Sequence, residues 1–149
     1  MSTIGKFMAA DHKGCDEMLV DVESAVTIGD WSSASERFDR FEAAMRKHFE
    51  IEEEILFPKI ERSTGISAGP TEVMRLDHRQ IQTLFQTLSD AITAEDSPAY
   101  LGFSETMMVM IQQHNMKEEQ VLYPLAEDVL HDPDETVARM RAQRTSANP

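Results

Sequence analysis

A chain of 149 residues, of which 41% are hydrophobic, is long enough to bury its own core, so we expect a single domain over residues 1–149. The formal net charge of −13 argues against nucleic acid and against a membrane surface as partners, because both are usually negative themselves. Cys15 is the only cysteine, which excludes an intrachain disulfide and a Cys-x-x-Cys metal site.

Two further features favour a cytoplasmic protein. No stretch reaches the roughly 18 apolar residues that a membrane helix requires. Residues 1–10 contain one lysine and no apolar run typical of a signal peptide. We therefore expect the reducing cytoplasm as its compartment.

Apolar residues recur with the helical period along nearly the whole chain, which predicts an all-α protein. The first helix is expected from about Ala9 to Ile28, and Asp30 or Ser32 can cap the second. Two glycines and a proline within Arg62–Thr71 predict the central linker. The sequence thus divides into two helical hairpins of similar length.

The second hairpin has its own boundary signals. The third helix is expected to begin near Pro70-Thr71, and the turn at Glu95–Pro98 has Ser97 as a cap followed by a first-turn proline. Asp132-Pro133 is expected to stop the fourth helix, and a short helix is predicted near Asp134–Gln143. Pro58 and Pro124 should each kink or end a helix, because proline cannot donate to the carbonyl four residues earlier.

The two hairpins predict an up-down-up-down four-helix bundle with pseudo-symmetric halves and a short C-terminal helix. Its core should span about residues 9–131, with an extension at 132–149. The residues expected on the inner faces of the four helices are His12, Leu19, Val22 and Val26; Phe38, Phe41, Met45, His48, Glu52 and Ile55; Met74, His78, Ile81, Phe85, Leu88 and Ile92; and Phe103, Met107, Ile111, His114, Glu118, Val121 and Leu125.

One pattern occurs twice in the chain. Residues 48–58, HFEIEEEILFP, recur 66 positions later as residues 114–124, HNMKEEQVLYP. The same offset carries Asp11-His12 onto Asp77-His78. Four of the five histidines therefore fall on one internal duplication.

The spacing places these histidines at matching heights. His12 and His48 each lie 18 residues from Asp30, in the first hairpin turn, and His78 and His114 lie 18 residues from Asp96 in the second. At a rise of about 1.5 Å per residue, the two members of each pair return to one level. Neighbouring helices can therefore present them side by side.

The pattern predicts a binuclear metal site. A histidine and a glutamate four residues apart share one helix face, and imidazole and carboxylate suit iron, manganese and zinc. Buried without metal, each unpaired carboxylate costs several kcal/mol. Two ions, each with two histidines and with both glutamates bridging, remove that cost. The predicted ligands are His12, His48, Glu52, His78, His114 and Glu118.

Other residues near the repeat leave alternatives open. A single His-x-x-x-Glu pair is often a surface ion pair. Glu53 and Glu119 are either solvated or support the site from outside, and Asp11 and Asp77 are either exposed or orient a neighbouring imidazole. Asp16 and Gln82, one turn beyond their histidines, could face the edge of the site, whereas Cys15 is expected to be a small buried core residue.

At these residues the chain resembles the hemerythrin-like, HHE cation-binding family, from about Ala9 to Leu130. The shared motifs are Asp-His on the first and third helices and His-x-x-x-Glu-Glu with a following Leu-aromatic-Pro on the second and fourth. The resemblance implies a non-haem di-iron centre in an up-down four-helix bundle, with the same six ligands.

The chain departs from the oxygen-carrying hemerythrins at two positions. Gln82 stands where they have a second histidine on the third helix, and their last ligand is an aspartate five residues after the fourth-helix histidine, where this chain has Glu119. Here the glutamate at position four, Glu118, matches Glu52 of the first half. The resulting site is more symmetric and has fewer nitrogen ligands.

Three functions follow from such a site. The leading hypothesis is a protein that binds or senses a diatomic ligand (oxygen or nitric oxide) or handles iron; the sequence favours binding over catalysis without deciding between them. Its two iron ions would be bridged by oxide, hydroxide or water, with zinc or manganese as other possible metals. The alternatives are a di-iron enzyme that reduces peroxide or nitric oxide and a metal-stapled interaction module.

Overall fold

The computed structural model describes residues 3–146, and within this range it contains helices and turns but no strand. The all-α prediction is confirmed. In chain order the helices are α1 (Thr3–Thr27), α2 (Trp31–Ile51), α3 (Phe57–Thr64), α4 (Pro70–Thr93), α5 (Ser97–Lys117), α6 (Tyr123–Val129) and α7 (Pro133–Thr145). One π-helical turn, here π1, spans Glu52–Leu56, and another, π2, spans Glu118–Leu122.

Four long helical rods pack around a common interior. The rods are α1, the continuous α2–π1–α3, α4, and the continuous α5–π2–α6. α1 packs against α2 and α5, and α4 packs against the same two helices. Each rod therefore has two neighbouring rods, as in a helical bundle.

The buried apolar residues form two clusters. A turn-side cluster, which includes Leu19, Phe38, Phe85 and Tyr100, lies toward the hairpin turns. A terminal-side cluster includes Ile4, Leu56, Met74, Tyr123 and Met140. On every rod the predicted histidines and glutamates lie between members of these clusters, so a polar layer separates two apolar ones.

Matching turns join the helices within each hairpin. The Asp30 side chain accepts a hydrogen bond from the Ser33 amide at 3.1 Å, and the Asp96 side chain accepts one from the Ala99 amide at 3.1 Å. Asp96 is therefore the cap of α5, and the prediction that Ser97 caps it was wrong by one residue. The aspartate side chain at the preceding position reaches the free amides of the first turn.

The helices of the first hairpin extend further than predicted, at the start of α1 and at the end of α3. α1 begins at Thr3 rather than near Ala9, because Ile4 and Met8 already bury their side chains in the terminal-side cluster. α3 continues to Thr64 and ends where Gly65 adopts a left-handed conformation, with φ of 71°. The connection to α4 is therefore shorter than the predicted linker.

The C-terminal helix belongs to the packed structure. α7 covers the predicted segment 134–143 and contacts α1, α2 and π1. Its Val137 and Met140 are buried in the terminal-side cluster. The helix that the sequence analysis placed in an extension thus contributes to the core.

Two inner-face predictions on the fourth rod were wrong. Phe103 is 42% exposed and Val121 is 57% exposed, while Leu125 is only partly buried. Tyr100 and Leu122 are buried instead. Along α5, the buried residues follow a different order of three-residue and four-residue steps from the predicted one. Beyond Glu118, the π2 turn changes which residues face inward.

The π turns follow from the two prolines. Pro58 and Pro124 have no amide hydrogen, so an α-helical bond to the carbonyl four residues earlier is impossible. The amide of the preceding residue instead reaches back five positions, from Phe57 to Glu52 and from Tyr123 to Glu118. The prolines therefore do not end the rods; each inserts one extra residue into a turn that starts at a site glutamate.

No helix among residues 3–146 is both long and apolar enough to cross a membrane.

One residue in each hairpin turn has a positive φ: Gly29, at 74°, and Glu95, at 52°. A Cβ added at Gly29 would meet nothing within 4 Å, so Gly29→Ala introduces only backbone strain and should lower the free energy of unfolding by about 1 kcal/mol. Glu95→Gly should raise it by roughly 0.5 kcal/mol, because relief of that strain exceeds the added flexibility of glycine. Urea unfolding of both variants tests this, and a loss of stability in Glu95→Gly would contradict it.

Candidate metal centre

The six predicted site residues come together in the polar layer. α1 carries His12, α2 carries His48, π1 carries Glu52, α4 carries His78, α5 carries His114 and π2 carries Glu118. His12 is 5% exposed and the other five are 2% exposed or less. Each rod therefore contributes at least one buried imidazole, and two rods add a buried carboxylate.

The layer consists of two overlapping groups. His12 and His48 join Glu52 and Glu118 in one group, and His78 and His114 join the same two glutamates in the other. Within each group the ligand atoms all lie within 4.8 Å of one another. The imidazole centroids are 4.7 Å apart in the first pair and 4.9 Å apart in the second. The two histidines of each hairpin are thus level, as the spacing predicted.

Four of the inward-facing atoms lie close together without hydrogen-bonding to one another, whereas His12 Nε2 is within hydrogen-bond distance of Glu118 Oε1, at 3.0 Å, and of His48 Nε2, at 3.2 Å. His78 Nε2 lies 3.0 Å from Glu52 Oε1, and His114 Nε2 lies 3.2 Å from Glu118 Oε2. These four atoms nevertheless have no hydrogen-bond partner among the described residues. Short distances with poor hydrogen-bond alignment mean that the atoms point toward a common space rather than at each other. The donor set, of imidazole nitrogens and carboxylate oxygens, fits a divalent metal ion.

Every imidazole in the layer is held from outside by a carboxylate. His48 Nδ1 donates to Asp11 at 2.6 Å and His114 Nδ1 to Asp77 at 3.0 Å, both within a hairpin. Two further pairs cross between the hairpins. They are His12 Nδ1 with Glu119 at 2.7 Å and His78 Nδ1 with Glu53 at 2.5 Å.

These four outer carboxylates, Asp11, Glu53, Asp77 and Glu119, settle the alternatives that the sequence left open. All four orient an imidazole. Because Nδ1 carries the donated hydrogen, a neutral imidazole directs the lone pair of its Nε2 inward. The four rings can therefore turn an unprotonated Nε2 toward the interior of the layer, which is the tautomer that binding of a metal through Nε2 would require.

Two of the outer carboxylates are themselves paired with cations. Arg144 of α7 lies 2.6 Å from Asp11, and Lys117 lies 2.7 Å from Asp77. The pKa of Asp11 and that of Asp77 are lowered, because hydrogen bonds and positive charge outweigh the effect of burial. Both aspartates therefore remain ionised beside their histidines.

The sequence analysis missed Tyr123. Its hydroxyl is buried and lies 2.7 Å from Glu52 Oε2, 2.8 Å from Glu118 Oε1 and 3.2 Å from His12 Nε2. π2 brings it there, because the extra residue in the turn places position five after Glu118 on the inner face. Its counterpart in the repeat is Phe57, which stacks near His78 with a centroid distance of 5.7 Å. The exchange of phenylalanine for tyrosine within the repeat was the available signal.

The remaining candidates lie outside the two groups. Asp16 is exposed, and Gln82 is partly buried on α4. Cys15 is a buried free thiol in the turn-side cluster, and burial raises its pKa to about 11. Its prediction as a small core residue is confirmed.

In the metal-free protein the surroundings of His48, His78 and His114 raise the pKa of these three imidazoles. Burial alone lowers the pKa of His114, but the charge and hydrogen bond of Glu118, the charge of Glu52 and the bond to Asp77 raise it to about 9. The same balance raises the pKa of His48 and of His78. Protons therefore compete with metal for these nitrogens at neutral pH.

This competition predicts how pH affects the metal-free protein. A histidine with a raised folded pKa stabilises the fold fully below its unfolded pKa of 6.5, and this contribution disappears as pH rises through the folded value of about 9. Between these pH values the free energy of unfolding should fall by on the order of 1–3 kcal/mol. Thermal unfolding across this range measures it. His131→Gln, which removes an exposed histidine, should keep the slope, and a flat profile in the wild type would contradict the prediction.

Tyr123→Phe should destabilise the metal-free protein by about 1–3 kcal/mol, because it removes the hydroxyl that bonds to two buried carboxylates. Tyr100→Phe is the matched control, since Tyr100 is equally buried but lies in the turn-side cluster. Its loss should be smaller. Denaturant unfolding gives both values, and equal losses would show that the carboxylate contacts of Tyr123 contribute nothing particular.

The family model described as Hemerythrin HHE cation binding domain matches residues 3–126. No curated protein and no solved structure matches the chain. The match covers most of the sequence and every residue of both ligand groups, and it identifies the chain as a member of the hemerythrin HHE cation-binding domain family.

Proposed function

We propose that the polar layer binds two iron ions and that the protein uses them to bind or sense a diatomic ligand, oxygen or nitric oxide, or to handle iron. The observation that carries the proposal is the sharing of Glu52 and Glu118 by both histidine groups. Two carboxylates common to two groups would be available to an ion in either group. An oxide, hydroxide or water would bridge the two ions.

The charges of the layer support two divalent ions. Glu52 and Glu118 together with the four outer carboxylates supply six negative charges, and Arg144 and Lys117 supply two positive ones. With neutral imidazoles, two divalent cations bring the sum to zero. A single divalent ion would leave this set of groups with a net charge of about −2, which is unfavourable next to the fully buried Glu52 and Glu118.

The chain's own residues prepare the site for a small ligand. The outer carboxylates fix the direction of the four imidazoles, and the apolar clusters on both sides limit access of bulk water. Tyr123 holds a hydroxyl proton beside Glu52 and Glu118. When bound, two iron ions would supply exchangeable coordination positions and redox chemistry in this enclosure.

Two finer features belong to the same proposal. The up-down-up-down order of the rods is supported by the contacts of each rod with two neighbours. A cytoplasmic setting is supported by the single cysteine, which is a free buried thiol and leaves the fold without need of an oxidising compartment.

Metal content per chain is the decisive measurement. Protein purified anaerobically with iron supplied should contain two irons, and its visible spectrum should change when the reduced form meets oxygen or nitric oxide. Glu52→Gln and Glu118→Gln should each bind fewer than two ions, because a neutral amide is a poor bridging ligand. Glu54→Gln, which changes an exposed neighbour of Glu53, should keep both.

The outcomes separate the possible functions. A stable spectral change without turnover supports binding or sensing, whereas steady consumption of peroxide or nitric oxide with a reductant supports the enzyme. One zinc per chain, or no metal with iron available, would overturn the di-iron proposal.

A further inference from the structure

We propose that small ligands reach the centre from one side only, through a groove between α1 and α5–π2 that ends at His12. In this proposal Asn115 keeps the groove open, and Phe49, its counterpart in the repeat, closes the matching path to His78. The inference rests on the proposed function, because it concerns access to the ions held by the polar layer. It assigns different roles to two halves that carry the same ligands.

The groove reaches one proposed ligand directly. It has a volume of about 530 Å³, and its lining includes His12, Asp16, Asn115 and Glu119. His12 is 5% exposed, whereas His78 is 0% exposed. Glu119, which is 35% exposed, lines the groove and is hydrogen-bonded to His12 at 2.7 Å. A ligand that enters here arrives beside the His12 and His48 group.

The matching path on the other half is filled. Phe49 is 2% exposed, and its ring stacks on His78 with a centroid distance of 3.9 Å and an interplanar angle of 19°. Phe57 stacks on the same imidazole at 5.7 Å. Two aromatic rings against His78 leave it sealed from solvent. In place of these two rings, the His12 half has the amide of Asn115 and the phenol of Tyr123.

The size and polarity of the exchanged side chains explain the difference. An asparagine is shorter than a phenylalanine and leaves space above the neighbouring imidazole. It is also polar, so the groove that it lines can hold water and admit a small polar molecule. A stacked phenylalanine excludes water from the same position. The repeat therefore diverged at the residue that follows each ligand histidine of α2 and α5.

A smaller cavity between α4 and α5 is the competing route. It has a volume of about 60 Å³ and reaches His114. The ion pair of Lys117 with Asp77, at 2.7 Å, lies across it. This cavity is far smaller than the groove of about 530 Å³ at His12.

Asn115→Phe tests the route. In oxidised, iron-loaded protein, the rate constant for azide binding should fall at least about tenfold, and that for azide release should fall with it. The equilibrium affinity should change by less than about threefold, because the variant narrows the path without altering a ligand. Stopped-flow absorbance gives the rates, while iron per chain and circular dichroism confirm loading and folding.

Two further variants serve as a control and as a substitute. Gln113→Phe places the same ring two residues before Asn115, at an exposed position that lines the smaller cavity. It should leave the rate constants for azide binding and release within about twofold of wild type. Asn115→Leu provides a second closing variant where Asn115→Phe fails to fold.

The outcomes distinguish the route from the proposed function. Iron-loaded Asn115→Phe and Asn115→Leu that bind azide as fast as wild type would overturn the route and leave the di-iron proposal standing. A greater slowing in Gln113→Phe would assign access to the smaller cavity. A wild-type protein that binds no iron would overturn the proposed function and the route with it.

Discussion

Burial of four imidazoles and two carboxylates in one layer is the constraint on which the rest of the structure depends. Such groups are stable in an apolar interior only when each polar atom has a partner. The outer carboxylates supply partners for every Nδ1. The Nε2 atoms and the carboxylates of Glu52 and Glu118 are left to satisfy each other, imperfectly, or to bind cations. The burial of these polar atoms therefore lowers the stability of the metal-free fold, and for the same reason it favours the binding of cations.

The outer pairs also tie the rods together. Asp11 and Asp77 join neighbouring helices within a hairpin, while Glu53 and Glu119 join one hairpin to the other. Arg144 extends this network to α7, so the C-terminal helix contacts a residue that orients His48. The geometry of the layer is consequently fixed by contacts around the whole bundle. Small changes in the packing of the rods would therefore shift the imidazole rings.

The sequence predicted the ligand layer better than it predicted the surroundings. Histidine spacing from the hairpin turns depends only on helical rise, so the level pairs could be predicted and were confirmed. The inner faces beyond Glu118 depend on π2, and a constant helical period therefore placed Val121 inward and missed Tyr123. Pro124 was recognised as a disruption, but whether a helix ends, kinks or inserts a residue depends on the packing around it. The partners of Glu53 and Glu119 depend on contacts between hairpins, which local spacing does not specify.

Internal duplication explains why a symmetric ligand set lies in asymmetric surroundings. The proposed ligands are the same in both halves, because each half offers two imidazoles and one carboxylate to a shared layer. The residues packed against the imidazoles are not matched in this way. There the first half has Phe49 and Phe57 on His78, and the second has Asn115 and Tyr123 near His12. Compared with Phe49 and Phe57, Asn115 and Tyr123 are both more polar. Both lie near His12, although Asn115 belongs to α5 and Tyr123 begins α6. These two differences give His12 polar neighbours where His78 has two stacked aromatic rings, although the proposed ligands of the two halves are the same.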